Sequence, residues 1–318
     1  MLFYKGFEDT SPFFHCRWEK DKKGKVRRLY QPNEAMELGH HRLIERLREQ
    51  PNFPDWLSPN SFWNVHPHFD SHFFYCIDIK DAFATVNTYM LTRALGWLNS
   101  RWLSKHDELQ VEFNNYCLAQ EGGLATGANA SPVLWDLVAA CLIDRRLEPL
   151  CRKSHIVWTR FVDDLTFSSP YYFGQRPRRA IRDIIYEAGF SLNTKKGRFY
   201  DLAKGPIVIT GIGLQRSYRP TKRHQNISLP YSNKRSFLEP SSETRVFLPR
   251  RELRRIKGLL LKALSGQEVN PNVINGLMSV FWSPWGGRLN DLSRLNSTER
   301  RVFELYQEYR LRKAEQAI

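Results

Sequence analysis

The chain reads as an α+β protein, an antiparallel sheet backed by helices and followed by a small helical domain. Three observations predict this. Between residues 73 and 212, strand-like and helix-like segments follow the order strand, helix, hairpin, helix, strand, which suits a ferredoxin-like sheet. Inside that order, TRFVDDLTFS (Thr159 to Ser168) sets two carboxylates between two β-prone runs. After Leu248 the apolar residues recur only at helical spacing.

Each element has its own local signal. Residues 13 to 32 read as two strands around a basic Lys-Lys-Gly turn. Residues 33 to 50 read as a helix with Asn33 as N-cap. Residues 51 to 70 are loop-like, punctuated by Pro51, Pro54, Pro59 and Pro67. Phe73 to Ile79 is a strand, a helix is expected from about Ala82 to Leu98, and Gly122-Gly123 marks a turn. Ser131-Pro132 predicts a helix start, with Ser at the N-cap and Pro at the first helical position. The apolar residues Leu134, Leu137, Val138, Cys141 and Leu142 continue it at helical spacing. A helix over about 177 to 188 and a strand from Pro206 to Ile212 complete the sheet. Residues 215 to 247 are polar, basic and Pro/Ser-rich, an excursion or hairpin. Beyond them, one helix carries an apolar set (Leu253, Ile256, Leu260, Leu264) and a basic stripe (Arg251, Arg254, Arg255, Lys262), with Gly266 as its stop. Helices at about 272 to 282 and 297 to 315 finish the chain.

Composition narrows the function. The chain has 318 residues, enough for two or three subdomains. Lys and Arg outnumber Asp and Glu by 48 to 33, a net charge of +15 that favours a polyanionic partner, most simply nucleic acid. Aromatic residues at 13% argue against disorder. No apolar run approaches the ~20 residues of a membrane span, no signal-peptide core opens the chain, and no lipidation motif directs it to a membrane. The five cysteines contain no CxxC and read as reduced thiols of a cytoplasmic protein.

The carboxylates carry the chemistry. In a continuous strand Asp163 and Asp164 would point to opposite faces, and one would be buried at a cost of several kcal/mol unless paired. A hairpin with both at a two-residue turn avoids this. By itself such a turn is only turn chemistry; a metal site needs a third carboxylate. Asp78, at the end of the apolar run FFYCIDI, supplies it, whereas Asp81 fits a helix start. Three carboxylates converging at one sheet edge without basic partners require cations to stay ionised. Two Mg²⁺ ions (or Mn²⁺ in their place), ~3.5–4 Å apart, would meet that need and serve in-line phosphoryl transfer. His66 and His68 lack Cys/His partners at metal-site spacing, so zinc is not expected.

FYCIDIKDAF, GGLATGANASPVL and RFVDDLTFSS, in that order, resemble the three central palm motifs of reverse transcriptases. KGKVRRLYQP resembles the family's basic fingers motif, SLNTKK its lysine-bearing motif and ITGIGL its primer-side motif. Within the family, SFWNVHPHF and Thr210-Gly211 are similar to elements of bacterial retron-type enzymes, or of related phage-defence reverse transcriptases. The chain departs from the family at Ala125-Thr126, where Pro-Gln is usual. The resemblance implies a right-hand polymerase with fingers at 1–70 and 91–124, a palm at 71–90 and 125–214, the basic polar excursion at 215–247 and a helical thumb at 248–318.

It also implies roles. Asp78, Asp163 and Asp164 would be the metal-binding triad, with Ile79 beside Asp78 in the metal shell. Phe83 would exclude a 2′-hydroxyl by clash, and Asp81 and Ala82 would lie where backbone approaches the triphosphate. Arg27, with Lys23 or Lys22, would contact the triphosphate. Gly127 would let backbone approach the incoming nucleotide, with Thr126 hydrogen-bonding beside it. Lys196 or Lys195 would protonate the pyrophosphate leaving group. Asn64 and His68 are structural or contact a structured RNA, and Thr210 and Gly211 lie on the primer side. Arg251, Arg254, Arg255 and Lys262 would meet template–primer phosphates. The implied activity is RNA-directed DNA synthesis from dNTPs on an RNA template, in antiviral defence with a dedicated non-coding RNA and a defence effector protein. The alternatives are a polymerase of the same fold making untemplated or atypically primed DNA, and a catalytically silent RNA-binding scaffold.

Overall fold

The computed structural model describes residues 14–20, 24, 26–54, 64–105, 117–119, 122–220, 238–282 and 296–315. It divides into two compact units, one of residues 1–57, 75–167 and 173–198, the other of 58–74, 168–172 and 199–318.

In the first unit, β1 (Phe14–Lys20) and β2 (Val26–Pro32) form an antiparallel ribbon. Helix α1 (Glu34–Arg48) follows, and its expected cap holds: Asn33 accepts the Met36 N–H at 2.8 Å. Met36, Leu43 and Leu47 form its buried stripe. The predicted helix over 82–98 is two helices, α2 (Ala82–Thr85) and α3 (Thr88–Leu98). The break has a local cause: Val86 is extended, and Asn87 caps α3 by accepting the Met90 N–H at 3.0 Å.

Helix α4 (Ala130–Ala139) begins before the predicted cap. Ser131 lies inside it because its hydroxyl donates to the Ala125 carbonyl at 2.7 Å, closing the preceding loop instead of capping the helix. A π-helical turn, Ala140–Asp144, joins α4 to α5 (Arg145–Lys153). A π turn takes up one extra residue. Asp136 and Asp144, eight apart in sequence, therefore behave as if about seven apart, close to two whole turns, and share a face.

The sheet order is β4 (Val157–Phe161), β5 (Asp164–Ser169), β3 (Phe73–Lys80), β6 (Ser191–Leu192), with β7 (Arg198–Asp201) also pairing β3. That is the ferredoxin-like order, with β3 and β5 central. Helix α6 (Gln175–Glu187) links β5 to β6 and buries Ile181 and Ile185.

The second unit holds a three-stranded sheet, β10 (Leu238–Phe247), β9 (Ile212–Pro220), β8 (Ile207–Ile209). The predicted single strand over 206–212 is thus a hairpin, turning at Thr210 and Gly211 with φ of 45° and 88°. Much of the polar excursion is strand, with Leu238 opposite Pro220 and Phe247 opposite Gly213; residues 221–237 lie outside the described residues. Helices α7 (Arg250–Leu264), α8 (Pro271–Trp282) and α9 (Ser297–Glu315) occur where helical spacing predicts them. Leu253, Ile256, Leu260, Ile274, Met278 and Val302 form their common core. Among the described residues, no helix is long and apolar enough to cross a membrane.

Candidate metal and nucleotide site

Strand β3 delivers Asp78 to the edge where the β4–β5 hairpin turns. Pairing is direct: the Ile79 N–H donates to the Asp163 carbonyl at 2.9 Å. The turn is displaced by one residue from expectation. Val162 and Asp163 occupy it, and Asp164 is the first residue of β5. Val162, a β-branched residue, takes the left-handed conformation at φ 56°, which costs on the order of 1–3 kcal/mol and needs outside support. Two donors give it: Trp135 Nε1–H binds the Val162 carbonyl at 2.8 Å and Arg160 Nη1–H binds it at 3.2 Å.

This geometry brings carboxylate oxygens of Asp78, Asp163 and Asp164 within 4.8 Å of one another, the one group of three or more such side chains among the described residues that could hold a metal ion. Asp78 is buried, Asp163 half-buried and Asp164 exposed. Although Asp164 reaches the surface, the protein around it withdraws enough water to push its pKa up to about 6; the charges of Asp163 and Asp78 add to this and Lys196 opposes it. The donor set is all oxygen, suited to hard divalent cations.

Lys196 Nζ donates to Asp78 Oδ2 at 2.6 Å. That bond, helped by the nearby carboxylates, raises the lysine's pKa. A tight turn sets it there: the Asn193 N–H donates to the Asp78 carbonyl at 2.8 Å, and the Lys196 N–H to the Asn193 carbonyl at 3.0 Å. Of the two lysines named from sequence, Lys196 is the one brought to the carboxylates.

The other candidates fall around this edge in part. Asp81 is exposed with φ 48°, and its carbonyl accepts both the Thr85 N–H and the Thr85 hydroxyl; its side chain makes no cap. Ala82 is buried, and Phe83 is half-buried and stacked on Trp135 at 6.1 Å between centroids. The Thr126 carbonyl accepts the Tyr30 N–H at 2.8 Å, tying its loop to β2, the strand that carries Arg27 opposite Glu19. Gly127 has φ +104°, and a Cβ there would meet the Tyr30 carbonyl at 3.2 Å. Glycine is required more severely at Gly123, where a Cβ would lie 2.5 Å from the Ala84 backbone. Lys22 and Lys23 lie outside the described residues.

Remaining candidates lie in the second unit. Asn64 and His68 are fully buried. His68 Nδ1 is 2.6 Å from the Ser168 hydroxyl, which in turn donates to Ser71 at 2.7 Å, and burial lowers the His68 pKa to about 3. Thr210 and Gly211 form the β8–β9 turn. Arg251, Arg254, Arg255 and Lys262 are exposed on α7, with Arg255 3.5 Å from Glu252.

Sequence reading missed a second charged cluster behind the turn. Arg160 is buried, its guanidinium meeting Asp136 at 2.7 Å and Asp144 at 2.8 Å. The signal was present: an arginine in the apolar strand run Ile156 to Val162 needs buried acidic partners.

The family model described as "Reverse transcriptase (RNA-dependent DNA polymerase)" matches residues 21–228. The retron Mx65 reverse transcriptase of Myxococcus xanthus is 28% identical over 228 residues, 64% of this chain and 52% of that protein. The retron Ec86 reverse transcriptase of Escherichia coli is 24% identical over 201 residues, 59% of each. The chain thus spans little more than half the length of these curated relatives. Among solved structures, apo telomerase from Candida tropicalis, truncated from its C-terminal domain, superposes with a TM-score of 0.47 at 12% identity, covering 65% of this chain and 54% of that one.

Proposed function

The chain belongs to the reverse transcriptase family, whose model covers more than half of it, and from that premise we propose that it is an RNA-directed DNA polymerase. The observation that carries this reading is the convergence of Asp78, Asp163 and Asp164, with ligating oxygens within 4.8 Å, at one sheet edge. Their clustered carboxylates and all-oxygen donor set fit two Mg²⁺ ions, or Mn²⁺. Bound there, divalent cations supply neutralisation of phosphate charge and a lowered pKa for the attacking hydroxyl.

The chain's own residues do the rest. Lys196, protonated and beside Asp78, is placed to give its proton to the departing pyrophosphate. Phe83 presents its ring where a 2′-hydroxyl would clash, selecting dNTPs. Arg27, Lys23, Gly127, Thr126 and the backbone at Asp81 and Ala82 take the triphosphate. Residues 1–70 and 91–124 serve as fingers, 71–90 and 125–214 as palm, 248–318 as thumb. Arg251, Arg254, Arg255 and Lys262, exposed on one helix of a chain of net charge +15, contact the phosphates of the RNA template and DNA product. The likeness to retron enzymes supports a dedicated non-coding RNA and a role in antiviral defence in the cytoplasm, together with an effector protein.

Primer extension on an RNA template with Mg²⁺ and dNTPs tests this. The expected result is RNA-templated DNA that disappears in Asp163→Asn. Incorporation unaffected by that substitution would refute the metal assignment; synthesis without a template would favour the untemplated reading, and no synthesis the scaffold reading.

A further inference from the structure

We propose that Trp135 is a positioning residue that couples the ring of Phe83 to the carboxylate turn, so that sugar discrimination and cation affinity depend on one side chain. The inference rests on the reading of Phe83 and the three aspartates given above. Trp135 is fully buried in α4, and each of its edges is occupied. Its N–H donates to the Val162 carbonyl at 2.8 Å. Its face stacks on Phe83 at 29° between planes, Phe190 packs edge-on at 5.3 Å, and the Arg160 guanidinium lies 5.9 Å from its centroid.

The Val162 carbonyl belongs to the peptide unit that leads into Asp163. Holding that oxygen fixes the peptide plane, and with it the direction in which the Asp163 carboxylate leaves the backbone. Phe83, half-buried, has the indole behind it. A 2′-hydroxyl pressing on Phe83 therefore presses on the indole, and the indole cannot shift without straining its bond to the left-handed turn. Packed interiors pass such displacements on because they have no slack. A ribonucleotide would thus meet a clash at the sugar and a disturbed cation site together. Partners that orient metal ligands without touching the metal typically govern about 10–100-fold in metal affinity, the scale expected here.

The test uses the whole chain. Trp135→Phe keeps a ring against Phe83 and removes the donor to Val162. Its half-saturating Mg²⁺ concentration should rise about tenfold, read from the Mg²⁺-induced shift in thermal unfolding without nucleotide and again from primer extension. Its dNTP-over-rNTP preference should fall in parallel. Phe83→Leu leaves Trp135 and every carboxylate intact, and it carries the test if Trp135→Phe does not fold. It should also raise half-saturating Mg²⁺, an effect that a purely local sugar clash does not predict. A lowered melting temperature with Mg²⁺ dependence and sugar preference within about twofold of wild type would overturn the coupling while leaving the polymerase reading intact. Wild-type protein that neither responds to Mg²⁺ nor extends a primer would overturn the polymerase reading, and this inference with it.

Discussion

Two acidic clusters flank the same hairpin and solve opposite problems. Behind it, Asp136 and Asp144 share one arginine: Arg160 gives Asp144 two nitrogens and Asp136 a third contact. Burial works against the arginine's charge, and the two carboxylates more than offset it, so its pKa is raised. In front, the Lys196 ammonium pairs with Asp78 beside Asp163 and Asp164, and the Asp164 pKa is pushed up to about 6. The first cluster is held closed by its own cation within the fold. The second sets three carboxylates together, with Asp163 half-buried and Asp164 exposed, where a ligand can reach them. Carboxylate clustering alone is not the mark of a metal site; three converging carboxylate oxygens within reach of solvent are.

The largest effect expected from this contrast is on chemistry. Asp78→Asn or Asp163→Asn should cut nucleotide incorporation by about a thousandfold or more while leaving the melting temperature in metal-free buffer unchanged or raised, since repulsion is relieved. A large loss of stability instead would make the front cluster structural and erase the distinction.

The converse applies behind the turn. Asp144→Ala leaves Arg160 buried with one partner lost and should destabilise the protein by about 3–5 kcal/mol in denaturant titration. Asp136→Ala, nearer solvent, should cost less. Stability unchanged by Asp144→Ala would mean that the rear cluster is not what holds the hairpin.

Acidity sharpens the comparison further. In metal-free protein the raised Asp164 pKa means that the folded state binds a proton more readily than the unfolded chain. Stability should therefore fall as pH rises from the ordinary carboxylate value of 3.8 through about 6. Saturating Mg²⁺ competes with that proton, so its stabilisation, about 2.7 kcal/mol at a hundred times the dissociation constant, should be greatest above pH 6 and fade below it. Thermal unfolding across pH, with and without Mg²⁺, reads both trends.

The smallest effect concerns a buried polar site with no charge. His68 is buried neutral, so its contribution is fully present above the ordinary 6.5 and is lost as pH falls towards about 3. His68→Phe strands the Ser168–Ser71 pair and should cost about 1–3 kcal/mol at pH 7.5, less at pH 4. An equal cost at both pH values would show that the imidazole is not held neutral.

Much of this was legible in the sequence, and what escaped has particular causes. The α1 cap at Asn33, the three terminal helices and the position of Asp78 follow from local patterns. The hairpin turn falls one residue earlier than the sequence suggests, because turn chemistry favours aspartate over valine in the left-handed region. Tertiary donors from Trp135 and Arg160 override that preference at Val162, and nothing local announces them. Ser131-Pro132 had the form of a cap, yet the loop ending at Ala125 claims the serine hydroxyl. The break at Asn87 was written in the sequence as a second N-cap and was hidden by the apolar periodicity on either side. Trp135 gave only an aromatic within a helix; its role needs both Phe83 and Val162 in place.

The π-helical turn at Ala140–Asp144 has a consequence for which changes this helix can accept. Its apolar positions tolerate exchange among residues of similar volume, since they only fill the core. A change in length is another matter. Loss of one residue between 140 and 143 would let the segment relax to a regular α-helix and leave Asp136 and Asp144 seven apart, still nearly in phase. Gain of a residue would instead swing Asp144 roughly 100° away from Arg160. At its apolar positions the segment is therefore held to a count more strictly than to a composition, and an insertion there would undo the hairpin's support as surely as loss of the Asp144 carboxylate.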